Sequence, residues 1–161
     1  MPTFSIGHLL GLNTTQDGEV SARFAVGTIT DLSDGGQAMY VSATSTISTY
    51  MAVVVDDKGG AVPVTTTNSA TSKKIAFAQV SIASSYFGWV VTSGSPKVAL
   101  LANAAPSVPL YTTATAGSLD DATVSGGLVL GMVATNTISN ATAVTCVAAR
   151  GTMIGTGNPV G

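Results

Sequence analysis

The sequence predicts an all-β protein: an antiparallel β-sandwich or small β-barrel built of hairpins, with an extended N-terminal arm. Three observations predict it. Apolar residues recur with a period of two in segment after segment, the spacing that sends alternate side chains to opposite faces of a strand. Turn-forming clusters separate those segments: "DGG" at Asp34–Gly36, "DDKGG" at Asp56–Gly60 and "SGSP" at Ser93–Pro96. No long apolar stripe with helical spacing and caps interrupts them. The 161 residues divide into an arm, residues 1–18, and a single β-rich domain, residues 19–161. A chain of this length buries roughly 70% of its unfolded surface, so it needs no disulfide or metal to hold it.

The elements follow in order. Glu19–Leu32 alternates Val20, Ala22, Phe24 and Val26 with polar or small neighbours and reads as one half-buried strand. After the "DGG" turn, "QAMYVSAT" forms a hairpin with it. Ser42–Ala52 is Ser/Thr-rich and reads as a short helix or a turn, because these side chains compete for local hydrogen bonds. Val53–Val55 and Ala61–Val64 are two arms of a hairpin, with Asp56–Gly60 as its loop. Lys73–Ile82 alternates again. A strand around Trp89–Thr92, the "SGSP" turn and a strand from Lys97 follow. "VPLYTTATAGSLDD" (Val108–Asp121) reads as a strand, then a turn in which Gly117 supplies the positive φ. "GLVLGMVAT" and "TAVTCVAARGTMI" are the last two strands, and "NPVG" is an exposed tail.

The composition excludes several function classes. Charged residues are 9% of the chain, against about 25% in an ordinary soluble domain. Ser, Thr, Gly and Ala fill the gap. Ala122–Ala149 carries no charge, but its Asn, Thr and Gly–Gly content reads as strand and turn, and a lone strand cannot satisfy its backbone in lipid; no membrane span is expected. With a net charge of −2 and six scattered Lys and Arg, no basic patch replaces counterions on a phosphate backbone, so nucleic acid is not an expected partner. No N-terminal basic–apolar–cleavage pattern points to a secretory signal. What remains is a protein with extensive contacts, whose interface cores are depleted in charge.

The usual chemistry is missing. His8 is the only histidine and lies in the arm, where a triad base would lack a rigid seat. The aspartates stand in or near turns, where their carboxylates bond local N–H groups. Cys146 is the only cysteine, which excludes an internal disulfide and a thiolate zinc site; "VTCVAAR" reads as a buried thiol acting as a small hydrophobe. No phosphate loop, dinucleotide fingerprint or zinc-protease motif occurs. We expect no enzyme and no cofactor. Tyr86, Phe87 and Trp89 form one aromatic cluster, a core or interface anchor, or a platform for a glycan.

Four segments follow one another in a recognisable order: "ISTYMAVVVDDKGGAVPVT", "IAFAQVSIASSYFGWVVTSG", "KVALLANAAPSVPLYTTATAGSLDD" and "GLVLGMVA". Over Ile47–Ala134 the chain resembles the capsid decoration, or cement, proteins of tailed bacteriophages. Phe87–Gly88–Trp89 stands where that pattern has Tyr-Gly-Trp. The resemblance implies a β-sandwich or small barrel, a homotrimer, and the major capsid protein as partner, with the protein on the outside of the virion capsid. It has no substrate; it stabilises the lattice it binds. On this reading the Thr-rich Val108–Asp121 stretch faces water before assembly and a neighbour after it. The candidate contact residues are Phe4, Ile6, Leu9, Leu10 and Leu12 of the arm, laid on the shell or on an adjacent protomer, together with Trp89. The alternative is a head-fibre or tail adhesion protein that binds a host-surface glycan through Trp89.

Overall fold

The computed structural model describes residues 13–69, 73–136 and 142–155. The fold is all-β, and the described residues contain no helix. Eleven strands follow in chain order: β1 (Ile29–Asp31), β2 (Gln37–Ala43), β3 (Ala52–Val55), β4 (Gly60–Pro63), β5 (Lys74–Ala78), β6 (Phe87–Ser93), β7 (Lys97–Leu100), β8 (Leu110–Thr112), β9 (Leu119–Asp120), β10 (Leu128–Ala134) and β11 (Thr142–Gly155).

Their pairing closes on itself twice. In the first ring β2 pairs with β4, β4 with β3, β3 with β5, β5 with β6, and β6 returns to β2. In the second, β7 pairs with β9, β9 with β8, β8 with β10, β10 with β11, and β11 returns to β7. The two rings have the same plan. The first and third strands of each are parallel, and every other pair is antiparallel. Closure removes the free edges that would otherwise invite strand addition. The rings are joined by the short Gly94–Pro96 link, by Met153 of β11 registered with Lys74 of β5, and by a bridge between Gly94 and Ala148.

The cores explain why these residues form these strands. Met39, Val41, Val53, Val55, Ala61, Ala76, Ala78 and Val90 fill the first ring. One end is closed by Ile47 and Ile82, from the β2–β3 and β5–β6 loops, whose backbones bond each other at 2.9 and 2.8 Å. Gly88 packs closely there: a Cβ on it would stand 2.7 Å from Ile82 Cδ1, so the Ile82 side chain would have to shift. On β3 and β5 the other phase, Ala52, Val54, Ile75 and Phe77, joins the core of the second ring, with Leu100, Leu110, Leu119, Val129, Cys146 and Ile154. These two strands are therefore apolar on both faces, as sheet strands covered on both sides must be.

Several expectations need correcting. Glu19–Leu32 is not one strand. Only Ile29–Asp31 pairs with β2, and Val20 is 68% exposed. A turn breaks the run: the Thr28 N–H and hydroxyl both donate to the Ala25 carbonyl, at 3.0 and 2.6 Å. This segment instead covers the outside of β2 and β6. Of Ser42–Ala52, expected as a short helix or a turn, Ser42 and Ala43 end β2, Ala52 begins β3, and the residues between form bends, the Ile47 bridge and a turn. The segment expected as a turn after Gly117 contains the short strand β9. Leu110–Thr113 is buried rather than facing water; the Thr113 hydroxyl donates to the Ser118 carbonyl at 2.9 Å and accepts the Thr115 N–H at 3.1 Å. Within the expected arm, Thr14 is buried beside Leu32, Val91 and Pro96. His8 and the "NPVG" tail lie outside the described residues.

Candidate functional site

The aromatic anchor is internal. Trp89 is 7% exposed and sits with Tyr40, Phe87 and Phe24. Phe24 meets Tyr40 edge-on at 5.3 Å and Trp89 at 5.4 Å, while Tyr40 and Trp89 are 5.1 Å apart. The cluster is the seal between β2/β6 and the Asn13–Leu32 cover. As a capsid or glycan contact Trp89 is therefore corrected: burial against its own chain takes its ring face away from any partner. Tyr86 is not in this cluster and packs against the first ring's core instead. Phe4, Ile6, Leu9, Leu10 and Leu12 lie outside the described residues.

Asp56 and Asp34 brace their own turns, and Asp121 ties its loop to Ala105. Asp56 Oδ1 accepts the Lys58 and Gly60 N–H groups, both at 2.8 Å, Asp34 accepts from Gly36 at 3.0 Å, and Asp121 accepts from the Ala105 N–H at 3.1 Å. Among the described residues no group of three or more His, Cys, Asp or Glu is placed to hold a metal ion, and no helix is long and apolar enough to cross a membrane. The Cys146 thiol is fully buried in the second ring, and burial pushes its pKa up to about 12. A thiol in that state is not a nucleophile.

The feature that stands out is the outer face of the β10–β11 hairpin. Its register sets Leu130 opposite Met153 and Val133 opposite Val147, and all four are 38–50% exposed. Exposed apolar pairs on adjacent strands make an apolar ladder, here in two rungs on either side of a bulge. Between the pairs the register shifts, so Gly131 faces the extra residues Ala149–Thr152. Within that bulge the Thr152 hydroxyl donates to the Ala149 carbonyl at 2.7 Å. Beside the ladder a cleft of about 210 Å³ opens where the two rings meet, lined by Ile29, Met39, Ile75 and Met153, with Gln37, Lys74 and Thr92 at its polar margin. Ile29 is itself 53% exposed. The arrangement can bind an apolar surface.

None of these residues stood out in the sequence. "GLVLGMVAT" is apolar in both phases, so it announces burial without saying which phase the fold leaves open. The signal that existed was the opposite of a motif: a long hairpin with aliphatic side chains on its outer phase and one charge, Arg150, along its two strands.

Compared with known proteins, the chain matches no family model, no curated protein and no solved structure.

Proposed function

We propose that this chain is a virion structural protein, a capsid decoration or cement protein that binds the outside of a mature phage head as a homotrimer and stabilises the major capsid protein lattice. The observation that carries the reading is the aliphatic β10–β11 ladder, an apolar outer face on a chain with little charge. Apolar patches of this kind mark surfaces meant to be covered. The closed rings suit the same role. With few strand edges to extend, recognition falls to side chains on a stiff frame. The resemblance over Ile47–Ala134 supplies the kind of partner. A protein that binds only the assembled lattice stabilises it by mass action, in proportion to the logarithm of its concentration over its Kd. The glycan-adhesion reading rested on Trp89 and loses support with that ring buried.

The test is the copy number of this protein in purified virus particles, measured by quantitative mass spectrometry against the major capsid protein. A one-to-one ratio, or a simple fraction of it, is the expected result. A handful of copies would move the protein to a tail or fibre, and its absence from the particle would overturn the proposal.

A further inference from the structure

The charges of this chain are few but unevenly placed. Lys74 is registered with Met153 of the ladder, Lys97 with Thr145 of β11, and Arg150 lies within β11. Lys73 is adjacent too, its carbonyl accepting the Ile154 N–H at 3.1 Å. Four of the chain's six cations therefore have their backbones in or beside this one strand, but the Lys73 ammonium donates to the Asn68 carbonyl at 3.2 Å and the Lys97 ammonium lies over the Tyr50 ring at 5.7 Å, which leaves Lys74 and Arg150 at the ladder's margin. Only two of the chain's eight acids stand near the strand. Asp31 pairs loosely with Arg150 at 3.4 Å, and Asp34 lies at the turn beside Gly94. Lys74 and Arg150, offset in part by Asp31, leave that margin weakly cationic. Lys74 and Lys97 are exposed, as is the Arg150 side chain.

An aliphatic centre with a cationic rim describes its complement. We propose that the β10–β11 face, with Ile29 at its margin, docks on a protein surface that has an aliphatic centre and a carboxylate rim. Under the reading above, on which this inference rests, that surface belongs to the capsid lattice. The ladder would supply the desolvated centre. Lys74 and Arg150 would set orientation and encounter rate, as rim charges do. A protein partner fits better than an anionic bilayer, because membrane-interface sites use Trp and Tyr, and this ladder is aliphatic only.

The experiment uses the full chain and expanded phage heads lacking it, with binding read by co-sedimentation. Val133→Asp/Val147→Asp places two carboxylates in the centre and should weaken binding at least about 100-fold, since an unpaired ion is costly to desolvate. Lys74→Glu/Arg150→Glu should weaken it about tenfold, with the difference shrinking in about 0.5 M salt. Val20→Asp, on the exposed cover segment, should bind like the parent, and unchanged melting of each variant keeps the comparison clean. If the parent binds and both double variants bind equally, the face is wrong while the decoration reading survives. If the parent does not bind, both fall. A parent oligomer that Val133→Asp/Val147→Asp converts to monomer would reassign the face to copy–copy contact and overturn the proposal. Binding to phosphatidylserine vesicles abolished by the same variant would overturn it in favour of lipid.

Discussion

The first and second rings share one strand plan and differ in what covers them. Around the first, β2 and β6 are roofed by Phe24 and Leu32 of the preceding segment, and the outer phase of β3 and β5 is buried in the core of the second ring. Around the second, the strand that corresponds to β6 is β11. A three-residue link alone separates β6 from β7, the second ring's first strand, so no segment precedes that ring to form a roof. Val147 is half exposed where Trp89 is sealed. The bare face is therefore not a general looseness of the fold. Among the described residues the scaffold covers its apolar outer phase in the first ring and leaves it open in the second.

The most severe challenge to this contrast is to cut the shared core. Phe77 is fully buried at the junction of the rings. Phe77→Ala should cost about 3–5 kcal/mol, and urea unfolding of the variant measures it. Val133→Ala, on the bare face, should stay within about 0.5 kcal/mol of the parent. If the two variants lost stability equally, the ladder would be core rather than contact surface.

A second contrast sits in the matching hairpins. Gly59 of β3–β4 and Gly117 of β8–β9 both supply a positive φ in the turn, 79° and 74°. The side chains that brace them differ: Asp56 accepts the N–H two residues on in one, Thr113 in the other. At Gly117 a Cβ would also meet Met51 Cγ, whereas at Gly126, with φ of 73°, it would meet nothing within 4 Å. Gly117→Val should therefore cost more than about 1 kcal/mol, and Gly126→Ala about 1 kcal/mol from backbone strain alone. Thermal melting of the pair separates clash from strain, and equal losses would mean that Met51 simply moves aside.

These positions also mark what could be read from residues alone. The β3–β4 hairpin was legible because Val53–Val55, the Asp56 turn and Gly59 are contiguous and each says the same thing. Gly117 was legible for the same reason. A small barrel was among the expected folds, but which strands close each ring was not legible, since the parallel pairs β2–β4 and β7–β9 join strands that local periodicity cannot relate. Glu19–Leu32 misled because a cover segment that buries Phe24 against Trp89 alternates like a strand over its whole length but pairs as one only at Ile29–Asp31, with a lone bridge at Glu19. The contact face was hidden for a physical reason as well: β10 is apolar in both phases, and only the fold decides that Val129 and Met132 go in while Leu130 and Val133 stay out.

Burial separates the two rings' chemistry more finely. With its pKa pushed up to about 12, the Cys146 thiol should resist iodoacetamide at about pH 8 in the folded protein and react once urea exposes it. The protected fraction is read by mass spectrometry. Rapid labelling of the folded chain would mean that the second ring opens far more readily than its packing implies.

The smallest effect concerns Asp120 on β9. Burial raises its pKa above the ordinary value of 3.8, and the neighbouring Asp121 charge adds to the rise, while the Asp121 and Ala122 N–H groups oppose it. A carboxyl whose folded pKa is raised binds its proton more tightly in the fold than in the unfolded chain. Its contribution is therefore favourable below the unfolded pKa and is lost as pH rises through the folded one. Near neutral pH Asp120 is ionised and slightly disfavours the fold. Asp120→Asn should raise Tm near neutral pH, and that gain should vanish once the pH falls below the ordinary carboxyl range. The Asn side chain keeps an oxygen to accept the same N–H groups, so the difference isolates the charge. If the gain persisted at low pH, the cause would be packing at β9. If the variant melted lower at neutral pH, the ionised carboxylate would be favoured where it lies, and its N–H partners would outweigh burial.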